Sequence, residues 1–204
     1  MNDNQKKKFL MDGYVGVKFN AVRQNDMLPP EASGLYGISH RVCERLREHD
    51  MTPANGGNLS IRLGEGFVIS SSGCNLGCIE ENELIYVEGC DVGKECVMYQ
   101  GPAAPSSESI MHWLIYQNHP EAMAIVHAHD EFATKSAILE GEVSQSEREE
   151  PYGTVELARM AIDTFKQARE IIVLKNHGYV AIGSDLDRAC DLIVNTHMRL
   201  LGKK

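Results

Sequence analysis

The sequence predicts one α/β domain, and three observations carry that reading. Residues 122–129 alternate two sets of side chains, Ala122, Ala124, Val126 and Ala128 against Met123, Ile125, His127 and His129, as a strand does. Residues 171–175 and 179–182 are two apolar runs joined by Asn176-His177-Gly178, the pattern of an antiparallel hairpin. Between and after these strands, residues 154–168 and 185–201 carry apolar positions at helical spacing.

The remaining elements follow in chain order. Residues 1–30 mix charge, glycine and isolated apolar residues and end in Pro29-Pro30, so they are expected to form an extension that docks on the main body or on a neighbouring subunit. The domain proper is expected over 31–204. A helix is predicted over 31–48, where Leu35, Ile38, Val42 and Leu46 fall near helical spacing. A turn cluster, Thr52-Pro53-Ala54-Asn55-Gly56-Gly57, leads into strands at 58–63 and 67–70 linked by Gly64-Glu65-Gly66. Further strands are predicted at 84–88 and 95–99. Pro105-Ser106-Ser107 opens a helix to about Asn118, with a serine available as N-cap. A short helix is expected over 131–139, and the polar, acidic stretch 140–151 reads as a surface loop.

Composition narrows the function. With 20 Lys plus Arg against 29 Asp plus Glu, the net charge of -9 disfavours a dedicated nucleic-acid binder, which needs a basic surface to meet phosphates. A small phosphorylated ligand remains compatible, because backbone N–H groups and hydroxyls hold phosphate locally. No run approaches the ~20 apolar residues of a membrane-spanning helix. The start, Lys6-Lys7-Lys8 then Phe9-Leu10-Met11, is cut short by Asp12 and Gly13 and does not make a signal peptide. Six cysteines without a secretory signal are expected as reduced thiols of a soluble cytoplasmic protein.

The chemistry concentrates in a few residues. A two-residue period sets His127 and His129 on one strand face, close enough to share a metal ion. His177 sits in the turn of the last hairpin, where its bland alternative is a solvent-facing polar residue. Glu108 falls in the first turn of a helix, where a carboxylate also serves simply to favour the positive helix end. Together, three histidines and one carboxylate suit a tetrahedral site with one displaceable ligand. His112, four residues after Glu108, is expected behind the ligands or facing substrate. Gly56-Gly57-Asn58, Ser70-Ser71-Ser72-Gly73 and Ser106-Ser107 are each ordinary turns, yet together they could cradle a phosphate. Cys74, Cys78, Cys90 and Cys96 offer an alternative soft-metal cluster, although their spacing is not that of a zinc knuckle. Cys43 and Cys190 fall on predicted helices and read as core thiols.

Five motifs in order, Gly57-Asn58-Leu59-Ser60, Ser72-Gly73, Pro105-Ser106-Ser107-Glu108 with His112, Val126-His127-Ala128-His129 and Asn176-His177-Gly178, resemble the class II aldolase/adducin family. The resemblance implies a three-layer α/β fold with a mainly antiparallel central sheet flanked by helices, and a homotetramer with sites between subunits. It implies zinc held by Glu108, His127, His129 and His177, with Glu108 also the acid/base. It implies that Asn55, Gly57, Asn58, Ser72, Gly73, Ser106 and Ser107 bind the phosphate of a small sugar-phosphate substrate. The implied activity is a lyase that cleaves or forms a C–C bond of a ketose phosphate through the enediolate of dihydroxyacetone phosphate. Epimerases, dehydratases and decarboxylases, and a non-catalytic adducin-like binding protein, are relatives on the same fold. Relative to the aldolases, the segment 140–152 is abbreviated and rich in Glu, with Tyr152 its one candidate for meeting the aldehyde, and a C-terminal tail is missing after Lys204. Weak aldehyde selectivity is the expectation that follows.

Overall fold

Alternation along the strands sends side chains to two faces, and both faces are covered. The computed structural model describes residues 17–130 and 143–202. Among these residues nine strands form one sheet: β1 (Asn20–Asn25), β2 (Asn58–Leu63), β3 (Gly66–Ser70), β4 (Leu84–Asp91), β5 (Cys96–Gln100), β6 (Ala124–Ala128), β7 (Ser144–Gln145), β8 (Ile171–Leu174) and β9 (Gly178–Gly183). Their order is β1-β5-β4-β3-β2-β6-β9-β8-β7. Pairing is antiparallel through the centre and parallel at both edges, β1 with β5 and β7 with β8. The sheet is thus mixed, its antiparallel centre as expected and its parallel edges an addition.

Among the described residues four α-helices complete the layers: α1 (Tyr36–Glu48), α2 (Ser109–Asn118), α3 (Val155–Phe165) and α4 (Leu186–Leu201). On one face Ile110, Met111 and Ile115 of α2 and Leu157, Ala158 and Phe165 of α3 pack on Phe67, Ile69, Ile125 and Val180. On the other face Val42 and Leu46 of α1 and Leu186, Ala189 and Ile193 of α4 pack on Val68, Ala124, Val126 and Ala181. Val68 and its neighbours Phe67 and Ile69 therefore feed different layers, as the period of two requires. Among the described residues no helix is long and apolar enough to cross a membrane.

Several sequence expectations are corrected in detail. The helix expected over 31–48 begins only at Tyr36, because Pro30–Ala32 form a separate 3-10 turn and Gly34 lies between. No serine caps α2: Glu108 takes the N-cap position without a side-chain cap bond, and Ser106 Oγ instead accepts from Glu108 N at 3.3 Å. The strand expected over 122–129 shortens to Ala124–Ala128, since His129 N leaves the ladder and donates to Met51 O at 3.0 Å. Ser144–Gln145, inside the expected surface loop, pair as β7 along β8. Asn20–Asn25, within the expected extension, pair as β1 along β5 after Phe19, which is buried in the α2/α3 layer. Thr154 and Asp185 cap α3 and α4 through Leu157 N and Arg188 N. The helix expected over 131–139 lies outside the described residues.

Candidate metal centre and substrate cavity

The register of β2, β6 and β9 assembles the candidate ligands. Asn58 on β2 stands opposite His127 on β6, and His127 stands opposite Val180 on β9. His127 thus projects with Ile125 toward the α2/α3 face, where the start of α2 delivers Glu108. His129 follows immediately after β6. His177 sits in the β8–β9 turn, with its N–H donated to Leu174 O at 3.0 Å.

That turn makes its bend at Asn176, whose φ is 56°. Gly178 serves a different purpose: a Cβ there would stand 2.3 Å from Ala128 O, so only glycine lets β9 approach β6 beside the ligands. Gly56 is similarly constrained, because its Cβ would fall 2.8 Å from His129 Nδ1. Sequence reading did not single out that contact.

The imidazole nitrogens of His127, His129 and His177 offer ligand atoms within 4.8 Å of one another. His129 Nε2 lies 3.0 Å from His127 Nε2. Glu108 joins them, Oε2 at 3.2 Å from His127 Nε2 and Oε1 at 3.5 Å from His177 Nε2. His127 Nδ1 donates to Tyr179 O at 2.8 Å, which fixes the ring and turns the Nε2 lone pair toward the cluster. Asn58 Nδ2 donates to Glu108 Oε2 at 3.0 Å, so Asn58 orients the carboxylate as well as facing the cavity. No cysteine belongs to a three-residue metal-holding group among the described residues, and all six are free thiols, with Cys43 and Cys190 buried.

Electrostatics favour a cation here. Burial pushes His129 down to about 3 and His177 down to about 4, which keeps both neutral at pH 7. Burial opposes charge on the Glu108 carboxyl, while positive charge facing it and the Asn58 Nδ2 hydrogen bond favour the ionised form. With His129 and His177 neutral, a carboxylate only 4% exposed lacks that facing charge, an arrangement costly without a bound cation. Buried Glu108 Oε1 has no hydrogen-bond partner among the described residues. A divalent ion taking three neutral nitrogens and one carboxylate oxygen fits this donor set.

A cavity of about 780 Å³ opens above the cluster. Glu108, His129 and His177 line it, while His127 is fully buried beneath. Of the expected phosphate-binding residues, Asn55, Gly57, Asn58, Gly73, Ser106 and Ser107 line the same cavity. Ser72 does not appear in that lining; its N–H goes to Ala104 O at 2.9 Å, and Ser71 takes the lining position. The turn at 70–73 is zipped to the start of α2 by this bond and by Ser106 N donating to Ser70 O at 3.1 Å. His112 is fully buried behind Glu108 rather than facing substrate, with Nδ1 2.7 Å from Ser60 Oγ. Ser60 Oγ also lies 2.9 Å from Tyr116 Oη. Tyr152 lines the outer part of the cavity, with Lys18 Nζ donating to its backbone oxygen at 2.6 Å.

Known proteins share the fold and much of the sequence. The chain is 32% identical over 162 residues to an L-fuculose phosphate aldolase of Methanococcus maripaludis, covering 73% of this chain and 84% of that protein. It is 29% identical to a 3-oxo-tetronate 4-phosphate decarboxylase of Haemophilus influenzae, covering 71% and 74%. A solved L-fuculose 1-phosphate aldolase superposes with a TM-score of 0.68 at 26% identity, covering 87% of this chain and 88% of its own. The model of the Class II Aldolase and Adducin N-terminal domain matches residues 40–199, which include every one of the four candidate ligands, and the chain belongs to that family.

Proposed function

We propose that the protein is a zinc-dependent aldehyde-lyase that cleaves or forms a C–C bond of a ketose phosphate through the enediolate of dihydroxyacetone phosphate. The observation that carries this reading is the convergence of Glu108, His127, His129 and His177 at the floor of the cavity, with Glu108 Oε1 lacking a hydrogen-bond partner. A bound zinc ion would supply Lewis-acid stabilisation for negative charge developing on substrate oxygens. The protein's own part is positional. His127, His129 and His177, with Glu108, would hold the ion, and Tyr179 O and Gly178 keep His127 aligned. Asn58 engages Oε2 of Glu108, which leaves Oε1 to take and return the proton at the substrate carbon. Asn55, Gly57, Ser106 and Ser107 would bind the phosphate through small polar groups, in keeping with an acidic chain that lacks a general affinity for anions. The homotetramer and the cytoplasmic setting implied by the family belong to the same reading.

A decarboxylase is the second reading, favoured by the similarity to the 3-oxo-tetronate 4-phosphate decarboxylase. Proton exchange at the carbon of dihydroxyacetone phosphate separates the two, because it needs the metal, the phosphate pocket and the carboxylate but no aldehyde. Zinc-loaded wild type is expected to exchange deuterium from solvent, and Glu108→Gln to slow that exchange by a factor on the order of 10² or more. Absence of exchange by the wild type would overturn the aldolase assignment.

A further inference from the structure

Beneath the candidate ligands, on the side away from the cavity, the ends of α1 and α4 meet the end of β6. A period of two sends His127 and His129 one way and Ala128 and Asp130 the other, into the α1/α4 layer. There Asp130, 4% exposed, meets His197 of α4, 8% exposed, and His197 Nδ1 donates to Asp130 Oδ2 at 2.6 Å. The ring of His49, the C-cap residue of α1, packs edge-on against His197 with centroids 6.2 Å apart. Asp130 also neighbours the phenol of Tyr179, which burial first and this carboxylate second push up. Asp130 and His197 both stand outside the cavity lining among the described residues, and the proposed chemistry uses neither.

His127 is oriented through its ring, by the bond from Nδ1 to Tyr179 O. His129 is oriented through its main chain, which is held on both sides. Its N–H donates to Met51 O at 3.0 Å, just past the end of α1, and the next residue, Asp130, is bound by α4. A ring placed by its main chain moves whenever that chain moves, and metal–ligand distances tolerate errors of only about 0.2 Å. We propose that His197 is a positioning residue for the metal centre: through Asp130 it fixes the segment that presents His129, so α4 tunes metal affinity from outside the cavity. The proposal rests on His129 being a metal ligand. A bond from an imidazole N–H to a carboxylate is directional and charge-assisted, which a packing contact is not. Bonds of this kind, one step behind the ligands, govern metal affinity by about tenfold to a hundredfold.

The test reads zinc affinity of the full-length protein by competition with a chelator, together with the visible spectrum of the cobalt(II)-loaded form, which reports ligand geometry without turnover. His197→Leu removes the donor and keeps apolar bulk; zinc affinity is expected to fall by about tenfold or more, and the cobalt spectrum to change in position or intensity. His197→Asn sets an amide N–H where Nδ1–H stood and is expected to recover most of that affinity. Cys190→Ala, at a fully buried position of the same helix, is expected to lower the urea midpoint while leaving zinc affinity and the cobalt spectrum as in wild type. Should His197→Leu not fold, Asp130→Asn weakens the same bond from its other end and is read in the same way, with a severalfold loss expected. Wild-type affinity and spectrum in these His197 and Asp130 variants would overturn the proposal and leave the metal centre standing. So would a loss that His197→Asn does not recover and Cys190→Ala reproduces, because helix stability alone would then explain it. Absence of stoichiometric zinc in the wild type would overturn the metal centre itself, and the proposal with it.

Discussion

At the floor of the cavity, His127 is fully buried, pinned through Nδ1 to Tyr179 O, and flanked by a glycine whose Cβ would collide with Ala128 O. At its outer end, Asn55 and Glu149 are exposed and sit in loops. The floor is set by strand pairing, so its geometry is specified many times over; the outer end is held by single contacts such as Asn176 to Glu149. This division suits a site whose floor serves chemistry shared across a family, while its rim adapts to a particular substrate.

The sharpest way to break the comparison is at the floor. His127→Ala removes a central candidate ligand and is expected to abolish stoichiometric metal binding, read by elemental analysis of protein purified with zinc. Full occupancy in that variant would show that the ion is held elsewhere.

Acid should act on the floor next. Burial holds His112 at about 3 in the folded protein against an ordinary 6.5, so between those values the unfolded chain binds a proton that the folded chain does not. Stability is then full above the unfolded value and falls as pH drops below it. The slope from this group is up to about 1.4 kcal/mol per pH unit. Burial acts in the same direction on His129 and His177. Urea unfolding of metal-free protein between pH 7.5 and pH 5 should show the midpoint falling; a flat profile would contradict neutral buried imidazoles.

The smallest effect on stability belongs to the outer end. Asn55→Ala should leave the urea midpoint nearly unchanged, within about 0.5 kcal/mol. Titration calorimetry should nevertheless show affinity for inorganic phosphate weakened by about tenfold to a hundredfold, the contribution of one hydrogen bond to a charged group. A large loss of stability would mean that the outer end is as constrained as the floor.

The sequence carried the strongly patterned elements and left out those that depend on neighbours. Residues 58–63 were legible as a strand because their run is bounded by Gly56-Gly57 and Gly64-Glu65-Gly66, and β2 occupies those same residues. By contrast, β1 is Asn-Ala-Val-Arg-Gln-Asn, largely exposed and without an apolar alternation, and only its pairing with β5 makes it a strand. The serine cap expected for α2 failed for a related reason: Glu108 takes the cap position, and its carboxylate is drawn to the imidazoles instead of the helix N–H groups. At the site, the period of two exposed the His127 and His129 pair. The bond from Asn58 to Glu108 could not be read, because it joins residues brought together by the β2–β6 register and the entry into α2.

That register has a consequence for how the protein reaches its native state. Ser60 faces Ile125, Asn58 faces His127, and Val180 faces His127 from the other side. Shifting β6 by one residue would rotate His127 toward the α1/α4 layer and put Ala128 under Glu108. A chain trapped with a slipped strand therefore possesses no binding cluster, and a metal ion added during refolding would draw population only toward the correctly paired sheet. Ion uptake would then serve as a clock for the completion of strand pairing, silent throughout earlier collapse of the chain.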